Sequence, residues 1–380
     1  MNQIIIIGNG FDLAHGMPTR YSDFMLHLLK KHIVLAYNSK KKKTVDGPIN
    51  ITSFVQFGDS TIEDYVSKST TLDDLIKDQW LDINFPKNKT FEIRIRNAPQ
   101  SPSRRKGIEI KINSPLILTL LSNHRNGNWI DIETEYFSYI NNALNEKNLD
   151  DRRKRIIQVN KDLEFLKREL CEYLKTVQLD EQEYDQTSIN TKFEEKMMAF
   201  LFPRKTFKSG NLHGDFKRLI VNYNYTSTVE RYLEKINSAG AELKTEISYI
   251  HGSLNDSKSE IIFGFGSVDG PELKNILSSG IHESSENLKF LIYHRNGQDD
   301  TLNKVLRNGA FKVRIVGHSC GLSDGSTLRE IFAHRDCQSI SVCYLNENEF
   351  FEKTYNIYTQ LKEFKKLPIE AMNKDLCFTK

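Results

Sequence analysis

Residues Met1 to Tyr21 read MNQIIIIGNGFDLAHGMPTRY, and the fold of this stretch constrains what the other residues can build. Ile4 to Ile7 is an unbroken β-branched run. Such a run suits a strand buried on both faces of a parallel sheet better than an amphipathic element. Gly8 and Gly10 then break it. Two glycines straight after a buried strand let the backbone turn sharply and approach a ligand with no Cβ in the way, and a following helix would point its free amides at a phosphate. The dinucleotide fingerprint G-x-G-x-x-G asks for a small residue at position 13, where this chain has Leu13. The glycines alone therefore leave a nucleotide turn and a plain strand-to-helix turn both open.

The chain has 380 residues, enough for one elaborated α/β domain with a large core. With 53 basic against 50 acidic residues the net charge is +3, so no global bias draws it to nucleic acid. Only local patches could do so, at Lys40 to Lys43 and Arg104 to Lys106. Cys171, Cys320, Cys337, Cys343 and Cys377 are odd in number and never spaced C-x-x-C. That pattern argues for a reducing compartment and against a zinc ribbon, and no metal is expected. No apolar run approaches the roughly 18 residues of a membrane helix, and Met1 leads into a charge-free strand. A cytosolic protein with no membrane partner is the expectation.

After the glycine turn, Tyr21 to Lys31 carries Phe24, Met25, Leu28 and Leu29 at helical spacing, the helix expected to start beside the ligand. The next hundred residues give few signals. Trp129 to Tyr139 reads as an acidic helix start, in which Glu133 is either catalytic or, more simply, a solvated first-turn carboxylate. Asp150 to Leu179 reads as a long amphipathic helix with Ile156, Val159, Leu163, Leu166, Leu170 and Leu174 on one stripe. Beyond Pro203, six short apolar runs follow: Phe216 to Asn222, Ile247 to His251, Glu260 to Phe265, Leu288 to Tyr293, Phe311 to Val316 and Ser339 to Leu345. This is the pattern of an α/β sheet, whose ligands bind at the carboxyl ends of the strands.

Three of these ends carry chemistry. Asn222-Tyr223-Asn224-Tyr225-Thr226-Ser227 passes from strand to helix with Thr226 or Ser227 as the cap. Either asparagine could hold a ribose hydroxyl and a water, or simply make the turn. His251 stands at a strand tip before Gly252, where a neutral imidazole could take a proton near pH 7. Gly317-His318-Ser319-Cys320-Gly321 fits the nucleophile elbow G-x-S-x-G, but His334, fifteen residues past Ser319, is the sole histidine downstream. A Ser319 hydrolase is thus a weaker alternative.

Gly8-Asn9-Gly10-Phe11-Asp12, then Gly16-Met17-Pro18, resembles the sirtuin loop G-A-G-x-S-x-x-x-G-I-P. Asn224-Tyr225 with Glu230 resembles the N-Y-D-x-x-x-E segment of bacterial sirtuin-like domains, with Thr226 in the aspartate's place. His251-Gly252 follows in sirtuin order, and Gly317 and Ser319 resemble the later G-x-S loop, with Asp324 in the adjoining segment. As a set, GNGFDLAHGMPTRYSDF, NWIDIE at Asn128 to Glu133, NYT with Glu230, IHGS and GHS…SD resemble the AbiH family of bacterial abortive-infection proteins against phage.

The resemblance implies an α/β fold, a Rossmann-like (sirtuin-like) parallel sheet built from residues 1–35 and 205–380, with a large, mostly helical insertion at 36–204. It implies a phage-defence protein with a sirtuin-like nucleotide-binding core, and the expectation built on that core and on the strand-end residues is a protein that binds NAD, as substrate or ligand, and cleaves or transfers at the nicotinamide–ribose bond. Asn224 and His251 would be catalytic. Gly8, Asn9, Gly10, Phe11, Asp12, Gly16, Asn222, Tyr225, Gly252, Gly317, Ser319 and Asp324 would bind the nucleotide. A phage-derived trigger and further copies of the chain are the other expected partners, and a sensor of a nucleotide or ADP-ribose derivative without turnover is the alternative.

Overall fold

Ile4 to Ile7 forms the middle of a parallel sheet and is fully buried. The structure, a computed structural model, describes residues 2–38, 49–53, 70–77, 81–84, 91–95, 109–112, 114–125, 131–185, 191–202, 218–238, 245–257, 259–266, 270–297, 300–361 and 368–371. Lys40 to Lys43, Arg104 to Lys106, Trp129 and Cys377 lie outside them. The strands are β1 (Asn2–Ile7), β2 (Ile49–Ser53), β3 (Leu81–Asn84), β4 (Phe91–Ile95), β5 (Glu109–Ile112), β6 (Arg218–Asn222), β7 (Thr245–Tyr249), β8 (Phe311–Val316), β9 (Cys337–Val342) and β10 (Ile369–Ala371). They divide into an all-parallel sheet ordered β10-β9-β8-β1-β6-β7 and an antiparallel sheet ordered β2-β5-β4-β3.

The chain splits into two compact units, Met1–Thr19 with Leu174–Lys380, and Arg20–Tyr173. In the first, β1 obeys the two-residue period of a strand. Ile4 and Ile6 join one apolar cluster with Val313, Ile315, Leu328 and Ile340, while Ile5 and Ile7 join another with Phe11, Leu201, Val229 and Tyr232. Both faces of β1 are therefore covered, as an all-β-branched strand requires. Burying each isoleucine is worth about 1.5–3 kcal/mol, enough to fix β1 in the middle of the sheet.

Two expected strands differ. Of Leu288 to Tyr293, Leu288 is the N-cap and the rest opens the helix Lys289–Asn296, in which Lys289, Ile292 and Tyr293 are buried, the i, i+3, i+4 spacing of one helical face. A short apolar run does not distinguish the two periods. Here His294 and Arg295 in the last turn and Gly297 at φ 63 supply a helix C-terminus. Glu260 to Phe265 is a loop whose Phe265 makes an isolated parallel bridge to Leu288. The helix that follows the first glycine turn is also not the one expected. Asn9–Ala14 starts directly after Gly8 and ends before Gly16 at φ 83, and Tyr21–Asn38 begins separately in the second unit.

In the second unit, Phe24, Met25, Leu28 and Leu29 are buried as expected, and so is the whole stripe from Ile156 to Leu170 of the helix Leu149–Asp185. The unit also carries the antiparallel sheet of β2 to β5, which the sequence did not announce. Glu133 is not solvated: it is buried in the first turn of the helix Ile132–Leu144. That helix is capped by Asp131, whose carboxylate accepts from the Thr134 amide at 3.0 Å and the Thr134 hydroxyl at 2.8 Å. Asp131→Ala is expected to lower stability by about 1 kcal/mol, the usual worth of such a cap, measured as the midpoint shift in urea. Among the described residues no helix is long and apolar enough to cross a membrane.

Candidate active site at the carboxyl edge of the parallel sheet

Four strand ends converge along one edge. Parallel pairing sets Ile7 beside Asn222 and Val316, and Asn222 beside Tyr249. Gly8, Tyr223, Ile250 and Gly317 therefore leave the sheet at the same level. The turns after β1 and β8 then cross at backbone contact. The Gly8 amide donates to Val316 O at 3.0 Å and the Gly10 amide to Gly317 O at 2.8 Å. A Cβ on Gly8 would lie 2.7 Å from His318 Cα, and one on Gly10 would lie 2.7 Å from Gly317 Cα. The side-chain space these two glycines leave open is thus taken up by the neighbouring turn.

The remaining groups of the first turn are tied down within it. Asn9 donates to Thr19 O at 3.0 Å and accepts from its hydroxyl at 2.5 Å. Phe11 is fully buried, and its ring lies 4.6 Å from that of His15. Asp12 is buried and accepts the Thr226 hydroxyl at 2.5 Å. Thr226 thus ties the turn after β6 to the carboxylate of the turn after β1. It does not cap a helix: the helix is Glu230–Ser238, and Ser227 O accepts the Glu230 amide at 2.8 Å.

The two asparagines are both buried and have different partners. Asn222 Oδ1 accepts the Asn224 amide at 3.1 Å, a local turn, while Asn224 Nδ2 reaches Gly8 O at 3.1 Å and joins the β6 turn to the β1 turn. The Tyr225 hydroxyl donates to Ile262 O at 3.0 Å, and its ring lies 5.8 Å from that of His251. Gly252 takes φ 83, and a Cβ there would sit 2.3 Å from Glu260 O, so the turn after β7 admits no side chain.

His251, His318, Lys289 and Asp324 meet behind these turns, all less than a tenth exposed. Lys289 Nζ donates to Asp324 Oδ1 at 2.7 Å. His251 Nε2 lies 3.0 Å from the same oxygen, a close approach without hydrogen-bond alignment, and His318 Nε2 lies 3.4 Å from Oδ2. The partners assign the tautomers. Tyr223 O can only accept, so His251 Nδ1, 3.1 Å away, carries a proton. The Cys320 amide can only donate, at 2.9 Å, so His318 Nδ1 is bare and its proton sits on Nε2, toward Asp324. The ring of Tyr223 lies between the two histidines, 5.2 Å from His251 and 4.3 Å from His318.

Electrostatics follows the geometry. Burial, helped by the Lys289 charge and opposed by Asp324, pushes His251 down to about 4. Burial alone would raise the Asp324 carboxyl, but Lys289 and His251 outweigh it and hold it well below the usual carboxylate range. The result is a neutral imidazole whose buried Nε2 lies 3.0 Å from Asp324 Oδ1 and makes no aligned hydrogen bond. That atom can take a proton. Among the described residues no group of three or more His, Cys, Asp and Glu is arranged to hold a metal ion.

The comparisons with known proteins add one match. The model of the family described as bacteriophage abortive infection AbiH matches residues 4–346. The chain belongs to the AbiH family. No curated protein matches it, and no solved structure does. Every segment that builds the edge of this AbiH protein, from Gly8 to Asp324, lies inside the matched span.

In the AbiH protein Ser319 is not paired with His334. Ser319 is exposed just past the carboxyl end of β8, whereas the His334 ring lies 5.5 Å from Phe311, the first residue of that strand. Six residues of strand separate the two edges by about 20 Å. The strained residue of the turn is Cys320, at φ 58, whose buried thiol is pushed up to about 12. Its backbone amide is what fixes His318. Lys289, His318 and Tyr223 were not picked out from the sequence as site residues. His318 lay in plain view inside VRIVGHSCGLSDGSTL, whereas nothing local marks Lys289.

Proposed function

We propose that this AbiH protein is a cytosolic abortive-infection protein that binds NAD along the carboxyl edge of its parallel sheet and hydrolyses or transfers at the nicotinamide–ribose bond. The observation that carries the reading is a buried His251 that meets Tyr223 O of the β6 turn and, 3.0 Å from its Nε2, Asp324 of the segment after β8, while Asn224 ties the β6 turn to Gly8. The strand order supports it. Counted along the parallel sheet, β7-β6-β1-β8-β9-β10 runs third, second, first, fourth, fifth, sixth. That is the order of a Rossmann-like sheet, in which a dinucleotide lies where the order reverses, between β1 and β8. A sirtuin-like core would be one elaboration of it.

In this reading Gly8, Asn9, Gly10, Phe11, Asp12 and Gly16 form the turn that takes the diphosphate and ribose, through backbone rather than through the space over the glycines. Asn224 orients ribose and water. Asn222, Tyr225, Gly252, Gly317, Ser319 and Asp324 shape the pocket. Breaking the bond between the anomeric carbon and the nicotinamide nitrogen leaves neutral nicotinamide and builds positive charge on the ribose. A water then bonds to that carbon and its proton goes to His251 Nε2, giving ADP-ribose. Loss of NAD would stop host and phage together, with a phage-derived molecule as the trigger and further copies of the chain as partners.

The experiment is purified protein incubated with NAD, with and without phage lysate, and followed by chromatography. Nicotinamide release that vanishes in His251→Ala is expected. No release in any state, with wild type matching His251→Ala, refutes turnover. A second reading, a sensor that binds the nucleotide without turnover, draws support from Asn224, whose amide is already engaged by Gly8 O. Calorimetry separates the two, since tight binding of NAD or ADP-ribose without product marks a sensor.

A further inference from the structure

Asp324 Oδ1 has two nitrogen claimants. Lys289 Nζ is fully buried and holds it at 2.7 Å in an aligned hydrogen bond, while His251 Nε2 stands 3.0 Å away and is not aligned. A carboxylate shared in this way can favour one cation fully and the other hardly at all. Lys289 arrives from the first turn of the helix Lys289–Asn296, and its own amide is fixed by Phe265 O at 2.9 Å. Leu288, just before it, is held by the bridge to Phe265. The chain thus builds a dedicated support for one buried ammonium.

We infer that Lys289 is a positioning residue: by occupying Asp324 Oδ1 it keeps the carboxylate from drawing a proton onto His251, and so keeps Nε2 as an open proton acceptor. The inference rests on His251 being the base, but its physical content does not need turnover. Other groups around the imidazole do not substitute for Lys289. The rings of Tyr223, Tyr225 and Tyr293 surround it at 5.2, 5.8 and 6.3 Å. The Tyr223 phenol is pushed up by burial and by Asp324, so it stays neutral. His318 turns its Nε2 proton toward the other carboxylate oxygen. Without Lys289 the nearest cation available to Asp324 is a protonated His251, and a buried carboxylate strongly favours acquiring one.

The test follows the histidine imidazole signals of the full chain by NMR, with isotope-labelled histidine, from about pH 5 to about pH 8. In wild type His251 is expected to remain neutral, with its proton on Nδ1, throughout. In Lys289→Met its titration should move above the ordinary histidine value of about 6.5, so that it is charged at neutral pH. Lys289→Gln keeps a donor toward Asp324 without the charge, and serves if the methionine variant does not fold; His251 should again titrate higher than in wild type. Combining Lys289→Met with Asp324→Asn should return it to neutral. A wild-type His251 already charged at neutral pH, or a folded Lys289 variant that leaves its titration unmoved, overturns the inference. Because no step reads nicotinamide, a failure of NAD turnover leaves this result interpretable on its own.

Discussion

Asp324→Ala is expected to cost about 3–5 kcal/mol of folding stability, the range for removing one partner of a buried ion pair. The substitution takes the Asp324 carboxylate, 2.7 Å away, from a Lys289 ammonium that is 0% exposed, and a buried charge does not lose such a partner cheaply. Adding Lys289→Met should recover much of the loss, since an apolar pair needs no compensation. Denaturant unfolding of the single and double variants measures both. A loss below about 1 kcal/mol in the single variant would mean that the fold does not depend on the Lys289–Asp324 pair.

The same cluster sets a dependence on pH whose direction can be worked out. His251 titrates near 4 in the folded chain and near 6.5 when unfolded, so between those values the unfolded chain binds a proton that the folded chain refuses. Stability therefore falls as the pH drops through that window. Asp324 acts further down: its depressed folded value gives stability that is complete above about pH 4 and lost as the pH falls through the folded value. His251→Gln should flatten the upper part of this acid limb and leave the lower part in place.

What could be read from the sequence was what local pattern determines. Ile4 to Ile7 and the glycines after it place the first strand and its turn, because a doubly buried strand has no other use for four β-branched residues in a row. The stripe from Ile156 to Leu170 could be read because its period is long enough to be unambiguous. The place of His251 and Gly252 just past the end of β7 could be read because the apolar run Ile247 to Ile250 stops there and glycine follows at once. Lys289 could not. Its partner is 35 residues away, and its own segment, LKFLIY, fits a strand and a helix equally well until Gly297 is seen to end it at φ 63. Glu133 failed for a related reason: an acid in a first turn looks solvated until the packing of the unit buries it.

The glycines teach a different lesson, which the largest backbone effect makes measurable. Gly8 and Gly10 read as room for a ligand, yet the space over them is filled by Gly317 and His318. Gly317 is the tightest point of that crossing. It takes φ 67, and a Cβ on it would lie 2.3 Å from Phe11 N and 2.6 Å from Gly10 C. No flexible side chain can yield there, only backbone of the first turn. Gly317→Ala is therefore expected to lose about 3 kcal/mol or more, the left-handed conformation accounting for roughly 1–2 of it and the displaced turn for the rest. Gly309→Ala is the matched control, since Gly309 takes φ 88 but nothing lies within 4 Å of its missing Cβ. It should lose only the conformational part. If the two variants unfold at the same denaturant concentration, the crossing of the two turns contributes no more than a favourable φ, and the carboxyl edge is not held together by backbone contact. If Gly317→Ala alone is destabilised, and nucleotide binding by calorimetry weakens with it while Gly309→Ala binds as wild type does, the crossing is what keeps the first turn in the shape that receives the ligand.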